Sequence, residues 1–138
     1  VYVFRANGTP YGHGFPFELP DVPSEMTSPT AILDRGIFGA MVLSDLDGDR
    51  TPEIVFGAFD GKLYALDVTN GHIKDGFPVD IHFPEPTAER NRVFGSVGIG
   101  DFDGDHRPDI AVVSSERLPG DNNVGAVYVV YGDGQVKG

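Results

Sequence analysis

The sequence predicts an all-β fold of four-stranded antiparallel units, and three observations carry that reading. Nineteen glycines and eleven prolines punctuate short apolar runs, the pattern of strands joined by tight turns. No segment keeps apolar residues at i, i+3, i+4 and i+7 for three turns, so helix content is expected near zero. The third observation is self-similarity, which sets the architecture before any single element is assigned.

Residues 37–49 align with 93–105 at an offset of about 56. Ile37-Phe38-Gly39-Ala40 pairs with Val93-Phe94-Gly95-Ser96, and Asp45-Leu46-Asp47-Gly48-Asp49 with Asp101-Phe102-Asp103-Gly104-Asp105. Pro52-Glu53-Ile54 and Pro108-Asp109-Ile110 continue the match without a gap. A second set, Val1-Tyr2-Val3-Phe4, Leu63-Tyr64-Ala65-Leu66 and Val127-Tyr128-Val129-Val130, recurs at offsets of about 62 and 64. Gly14-Phe15-Pro16 and Gly76-Phe77-Pro78 keep the first of these offsets.

One domain over 1–138 is expected, in three parts. Residues 1–36 are a partial unit and linker: a third strand at 1–4, a strand around 14–16, then a Pro/Gly/Ser/Thr-rich connection over 20–37. Residues 37–92 are a complete unit with strands near 39–44, 53–59, 62–68 and 76–82, the middle pair joined by the Asp60-Gly61 hairpin signal. After a connection over 83–93, residues 93–138 form a second unit, incomplete at its C-terminal end. The continuous apolar runs Ile54-Val55-Phe56 and Ala111-Val112-Val113 suit strands covered on both faces, as in sheets stacked face to face.

The bulk numbers fit this reading. At 138 residues the chain suffices for one core, and 40% apolar content is globular. A formal charge of −11 disfavours phosphate backbones and anionic lipid as partners and favours cations. No apolar stretch approaches the ~20 residues of a membrane-spanning helix. Absent cysteine removes disulfides and thiolate metal sites without fixing a compartment. No leader precedes Val1, so a secretion signal is expected to have been removed or to lie outside this stretch.

In each repeated acidic loop, carboxylates stand at positions 1, 3, 5 and 9: Asp45, Asp47, Asp49 and Glu53, then Asp101, Asp103, Asp105 and Asp109. Alternate residues of a tightly curled loop converge on one point, and Ca²⁺ takes six to eight oxygens at ~2.4 Å. Position 7, Thr51 or Arg107, would add a backbone carbonyl. Without a cation, four carboxylates within ~4–6 Å repel, so binding and local folding are expected to be coupled. An all-protein oxygen cage favours Ca²⁺ over Mg²⁺, which keeps several waters. A single Asp-Gly turn pointing into water is ordinary, but two aligned copies of D-x-D-G-D-x-x-P-[DE], each entering an apolar strand, point to two metal sites.

The units resemble FG-GAP repeats, the blades of integrin α-subunit β-propellers and of related VCBS-like calcium-binding repeats in extracellular proteins. Phe38-Gly39 and Phe94-Gly95 match the Phe-Gly opening, residues 45–53 and 101–109 the calcium loop, and Gly125-Ala126-Val127-Tyr128-Val129 the following Tyr strand. The resemblance implies four-stranded blades of β-propeller type, about two and a fraction here, and Ca²⁺ ligands at the ten loop positions given above. It also implies that position 6, often Gly in the family but Arg50 and His106 here, holds a side chain where the backbone prefers φ > 0, at a cost in affinity. Since such propellers close with about seven blades, the chain is expected to be a piece of a longer propeller or a subunit whose copies join through incomplete end sheets.

Other candidates are weaker. His13, His72, His82 and His106 are scattered, without a nucleophile beside them, and read as surface or turn residues. Four clustered acids do not make the separated acid and base of a glycosidase, so no enzyme activity is expected. Asn7-Gly8-Thr9 fits the N-glycosylation pattern. Arg90-Asn91-Arg92 reads as a solvated loop, and the loops 83–93 and 116–124 are candidate carbohydrate- or protein-binding surfaces. The expected function is a calcium-binding, extracellular or cell-surface structural and interaction module that self-associates into an oligomer or filament. Alternatives are an adhesion or lectin-like module binding a surface protein or glycan, and the non-catalytic propeller part of a polysaccharide-acting enzyme.

Overall fold

A computed structural model of the chain describes residues 1–20, 36–81, 90–118 and 122–136. Among them are eight strands and no helix, and all strand pairings are antiparallel. Among the described residues no helix is long and apolar enough to cross a membrane. The expected connection over 20–37 lies mostly, and His82 wholly, outside the described residues.

The first sheet is the expected meander: β1 (Val42–Ser44), β2 (Glu53–Gly57), β3 (Lys62–Asp67) and β4 (Val79–Asp80), paired in chain order. β2 and β3 are joined as their turn residues dictate. Gly61 takes φ +81° and donates its N–H to Ala58 O at 3.1 Å, the left-handed step that lets a short loop reverse the chain. β4 is shorter than expected because Pro78 has no N–H to give to the ladder, so pairing begins only at Val79. Both Phe15-Pro16 and Phe77-Pro78 are cis.

The second sheet is built on β7 (Asp109–Leu118), with β8 (Asn122–Val130) along one edge. Its other edge is shared end to end by β6 (Gly98–Gly100), against Asp109 to Ala111, and β5 (Arg90–Val93), against Ser114 to Arg117. This corrects two readings from sequence: Arg90-Asn91-Arg92 is a strand rather than a solvated loop, and the proposed loop 116–124 is largely the extended β7–β8 ladder. β7 runs past the end of β6, and the backbone groups left on that edge pair with the nearest chain whatever its side chains are. Arg92 also sets its guanidinium over the Phe59 ring, 5.5 Å from its centre.

Residues 1–19 contain no named strand, although the Val1 ammonium donates to Phe17 O at 2.6 Å and the Phe17 N–H returns a bond to Val1 O at 2.9 Å. This segment lays Val1, Val3, Phe15 and Phe17 on Ile54, Phe56, Tyr64 and Leu66 of the first sheet. The opposite face of that sheet, through Val55, Leu63 and Ala65, packs against Val93, Ile110, Val112 and Val130 of the second. The three parts thus stack face to face, and Ile54-Val55-Phe56 is buried on both sides.

The run Ala111-Val112-Val113 is not covered on both faces as its composition suggests. Val112 is buried, but Val113 is 46% exposed and its cross-strand partner Val127 is 70% exposed. An apolar run cannot report whether a second layer is present.

Repeated motifs mark the seams between layers. Phe38 stacks on Phe59 at 4.1 Å and Phe94 meets the same ring edge-on at 4.5 Å. Gly14 and Gly76, at φ +86° and +87°, lie so close to the carbonyl oxygens of Asn70 and Asp133 that a Cβ at either would overlap them. The glycine of each Gly-Phe-Pro triplet is therefore where one unit touches the turn of the next.

Candidate metal centres

Each acidic loop curls around its first carboxylate. Asp45 Oδ1 accepts the Gly48 N–H at 2.7 Å and Oδ2 the Arg50 N–H at 2.9 Å. Asp101 repeats this with Gly104 at 2.6 Å and His106 at 3.0 Å. The curl needs left-handed backbone at two places, supplied by Gly48 and Gly104 at φ +82° and +83° and by Arg50 and His106 at φ 73° and 67°. The strain expected at position 6 is thus present, at roughly 1–2 kcal/mol per side chain.

The ninth residue closes each loop from the following strand. Glu53 begins β2, opposite Ser44 on one side and Asp67 on the other; it is 3% exposed, and its Oε2 accepts the Leu46 N–H at 2.8 Å. Asp109 begins β7, is 1% exposed, and accepts the Phe102 N–H at 2.9 Å. The strand start aims these carboxylates back into the loops.

The structure brings together positions 1, 3 and 9. Asp45, Asp47 and Glu53, and separately Asp101, Asp103 and Asp109, offer oxygens all within 4.8 Å of one another. Asp49 and Asp105 each turn one oxygen to the N–H two residues on, Thr51 at 2.6 Å and Arg107 at 2.8 Å, and are not in these triads. Those bonds tie the Thr51 and Arg107 N–H groups, at the seventh position, to their loops. Asn7 sits in an exposed turn, its Oδ1 accepting the Thr9 N–H at 3.1 Å and hydroxyl at 2.8 Å. His13, His72 and His106 are exposed.

Lys74 belongs to the first centre, and sequence reasoning did not find it. Its backbone is held by the Ala65 carbonyl, which accepts the Lys74 N–H at 2.9 Å, and by the Phe77 N–H, which donates to Lys74 O at 3.0 Å. Its side chain is 14% exposed, with Nζ bonded to Asp47 Oδ2 and 3.8 Å from Glu53 Oε1. A signal did exist: Gly71-His72-Ile73-Lys74 aligns with Gly134-Gln135-Val136-Lys137, although Lys137 lies outside the described residues. Asp47, Asp49, Glu53, Asp67, Asn70 and Lys74 line a cleft of about 350 Å³.

The charges shift one another. Burial pushes the Glu53 carboxyl above its ordinary pKa, with Asp47 and Asp49 adding to the effect and the Leu46 N–H and Lys74 opposing it. The hydrogen bond from Lys74 holds Asp47 below the usual carboxylate value. Burial would lower Lys74, but Asp47, Glu53 and Asp49 outweigh it and raise its pKa, so it is an ammonium at neutral pH.

Both triads fit a hard dication. Every donor is a carboxylate oxygen, the ligand type that suits calcium or magnesium rather than softer metals, and in the first loop a cationic ammonium already stands against two of the three.

The FG-GAP-like repeat family model matches residues 45–112, which span both acidic loops. No curated protein and no solved structure matches the chain.

Proposed function

Since residues 45–112 are an FG-GAP-like repeat, we propose that the chain is a calcium-binding extracellular structural and interaction module, built of propeller-type blades and acting by binding without turnover. The observation that carries this is the pair of converging carboxylate triads at equivalent repeat positions. Asp45, Asp47, Glu53 and the Thr51 carbonyl would hold one ion, and Asp101, Asp103, Asp109 and the Arg107 carbonyl the other. Asp49 and Asp105 would contribute once freed from their N–H bonds. Bound Ca²⁺ supplies charge neutralisation that fixes each loop to the strand beyond it. Loops whose third-position ligands, Asp47 and Asp103, are exposed and whose backbone is strained suit the weak affinities, about 10⁻⁴–10⁻³ M, of extracellular calcium modules.

Calorimetric titration and thermal melting test this. Two equivalents of Ca²⁺ should bind, and saturation should raise the melting temperature by several degrees, reversibly with EGTA, since ~100 Kd of ligand adds about 2.7 kcal/mol. Equal melting temperatures with and without EGTA would remove the calcium reading.

Self-association is part of the proposal, supported by the exposed Val113–Val127 pair on a face whose counterpart in the first sheet is buried. Sedimentation should show concentration-dependent oligomers that Val127→Asp dissociates; a monomer at high concentration would exclude them.

A further inference from the structure

The first acidic loop carries its own cation. The Lys74 ammonium is bonded to Asp47 and lies 3.8 Å from Glu53, two of the three carboxylates that converge there. It comes from outside the loop, 27 residues from Asp47, and its main chain is pinned to β3 through Ala65. Its four-carbon stem is nevertheless flexible. The cleft beside it is also lined by Asp67 and Asp75, further acidic residues toward which a displaced ammonium can swing.

An ammonium has three donors and one charge, whereas a calcium ion draws six to eight oxygens onto itself. Both cannot hold the same oxygens of Asp47 and Glu53. Resting on the calcium reading above, we propose that Lys74 is a tethered competitor for the first loop: it neutralises Asp47 and Glu53 in the metal-free protein and is displaced into the cleft when a divalent cation binds. The expected repulsion among metal-free carboxylates is thereby relieved without protonation. Metal-free stability is gained, and divalent affinity at this loop is lowered by the same interaction, as linkage requires.

The test uses the full chain with the second loop silenced by Asp103→Asn and Asp105→Asn, so that calorimetry reads the first loop alone. In that background Lys74→Met should bind Ca²⁺ about tenfold more tightly, the scale of one charge-assisted hydrogen bond, and its EGTA-treated form should melt at a lower temperature. Lys74→Arg, which keeps the charge, should stay near the parent in both. Lys74→Gln supplies the same comparison where the methionine variant does not fold. Unchanged or weaker Ca²⁺ binding in both neutral variants, with the parent still binding, overturns the competitor role and leaves the calcium reading intact. Failure of the parent to bind Ca²⁺ at all overturns both.

Discussion

The Leu46 N–H donates to Glu53 Oε2 at 2.8 Å, and that one bond folds the first acidic loop back onto the strand it feeds. Phe102 and Asp109 repeat it in the second loop at 2.9 Å. The bond keeps a nearly buried carboxylate aimed at the other acids, a position that is costly when charged and uncompensated.

Glu53→Gln tests that cost. Burial, first of all, raises the Glu53 pKa in the folded chain above its ordinary 4.5. A raised carboxyl contributes stability that is fully present below the unfolded value and lost as pH rises through the folded one. With EGTA, the Gln variant should therefore match the parent below about pH 4.5 and melt at an equal or higher temperature at pH 7. In saturating Ca²⁺ the order should reverse, because the variant has lost a charged ligand. Melting curves across pH, with and without Ca²⁺, check both signs.

Gly76→Ala should be more damaging than Gly8→Ala. Both glycines have positive φ, but a Cβ at Gly8 meets nothing within 4 Å whereas one at Gly76 overlaps the Asp133 carbonyl. The Gly8 variant should lose about 1 kcal/mol from backbone strain alone, and the Gly76 variant at least ~3 kcal/mol once overpacking is added. Urea midpoints compare the two.

Tyr64→Phe should cost about 1.5–3 kcal/mol, the worth of a hydrogen bond to a charged acceptor. Its hydroxyl donates to Asp60 Oδ2 at 2.6 Å across the β2–β3 turn, while its ring stacks on Phe56 at 5.3 Å and is kept by the substitution. Burial, then Asp60, pushes the phenol well above its usual pKa. Absorbance titration should show a phenol ionising well above the usual tyrosine range in the parent and missing from the Phe variant.

Ser114→Ala should stabilise the protein by roughly 1 kcal/mol. Ser114 lies on β7 between β5 and β8, and its buried hydroxyl has no hydrogen-bond partner among the described residues. Removing an unsatisfied buried donor recovers its desolvation cost. A lower denaturation midpoint would show that the hydroxyl has a partner of its own.

The acidic loops were legible because their folding is local. Spacing sets which carboxylate meets which N–H, within five residues for Asp45 and Arg50 and seven for Glu53 and Leu46. The β2–β3 turn was legible for the same reason, in Asp60-Gly61, whereas the left-handed Arg50 and His106 were expected only from the resemblance to a family that often places Gly there. β5 was not, because Arg90-Asn91-Arg92-Val93 has no strand alternation and is recruited by the free edge of β7.

By itself, then, the sequence determined the all-β character, the repeat and the carboxylates of each loop, since those rest on hydrogen bonds between near neighbours and on turn residues. Tertiary structure alone decided that Lys74 enters the first loop from 27 residues away, that Gly14 and Gly76 seat the turns of the next unit, and that Val113 and Val127 lie bare while Val55 and Ala65 are buried. Those outcomes depend on which layer packs against which, and the side chains that meet there share no local spacing for a sequence pattern to carry.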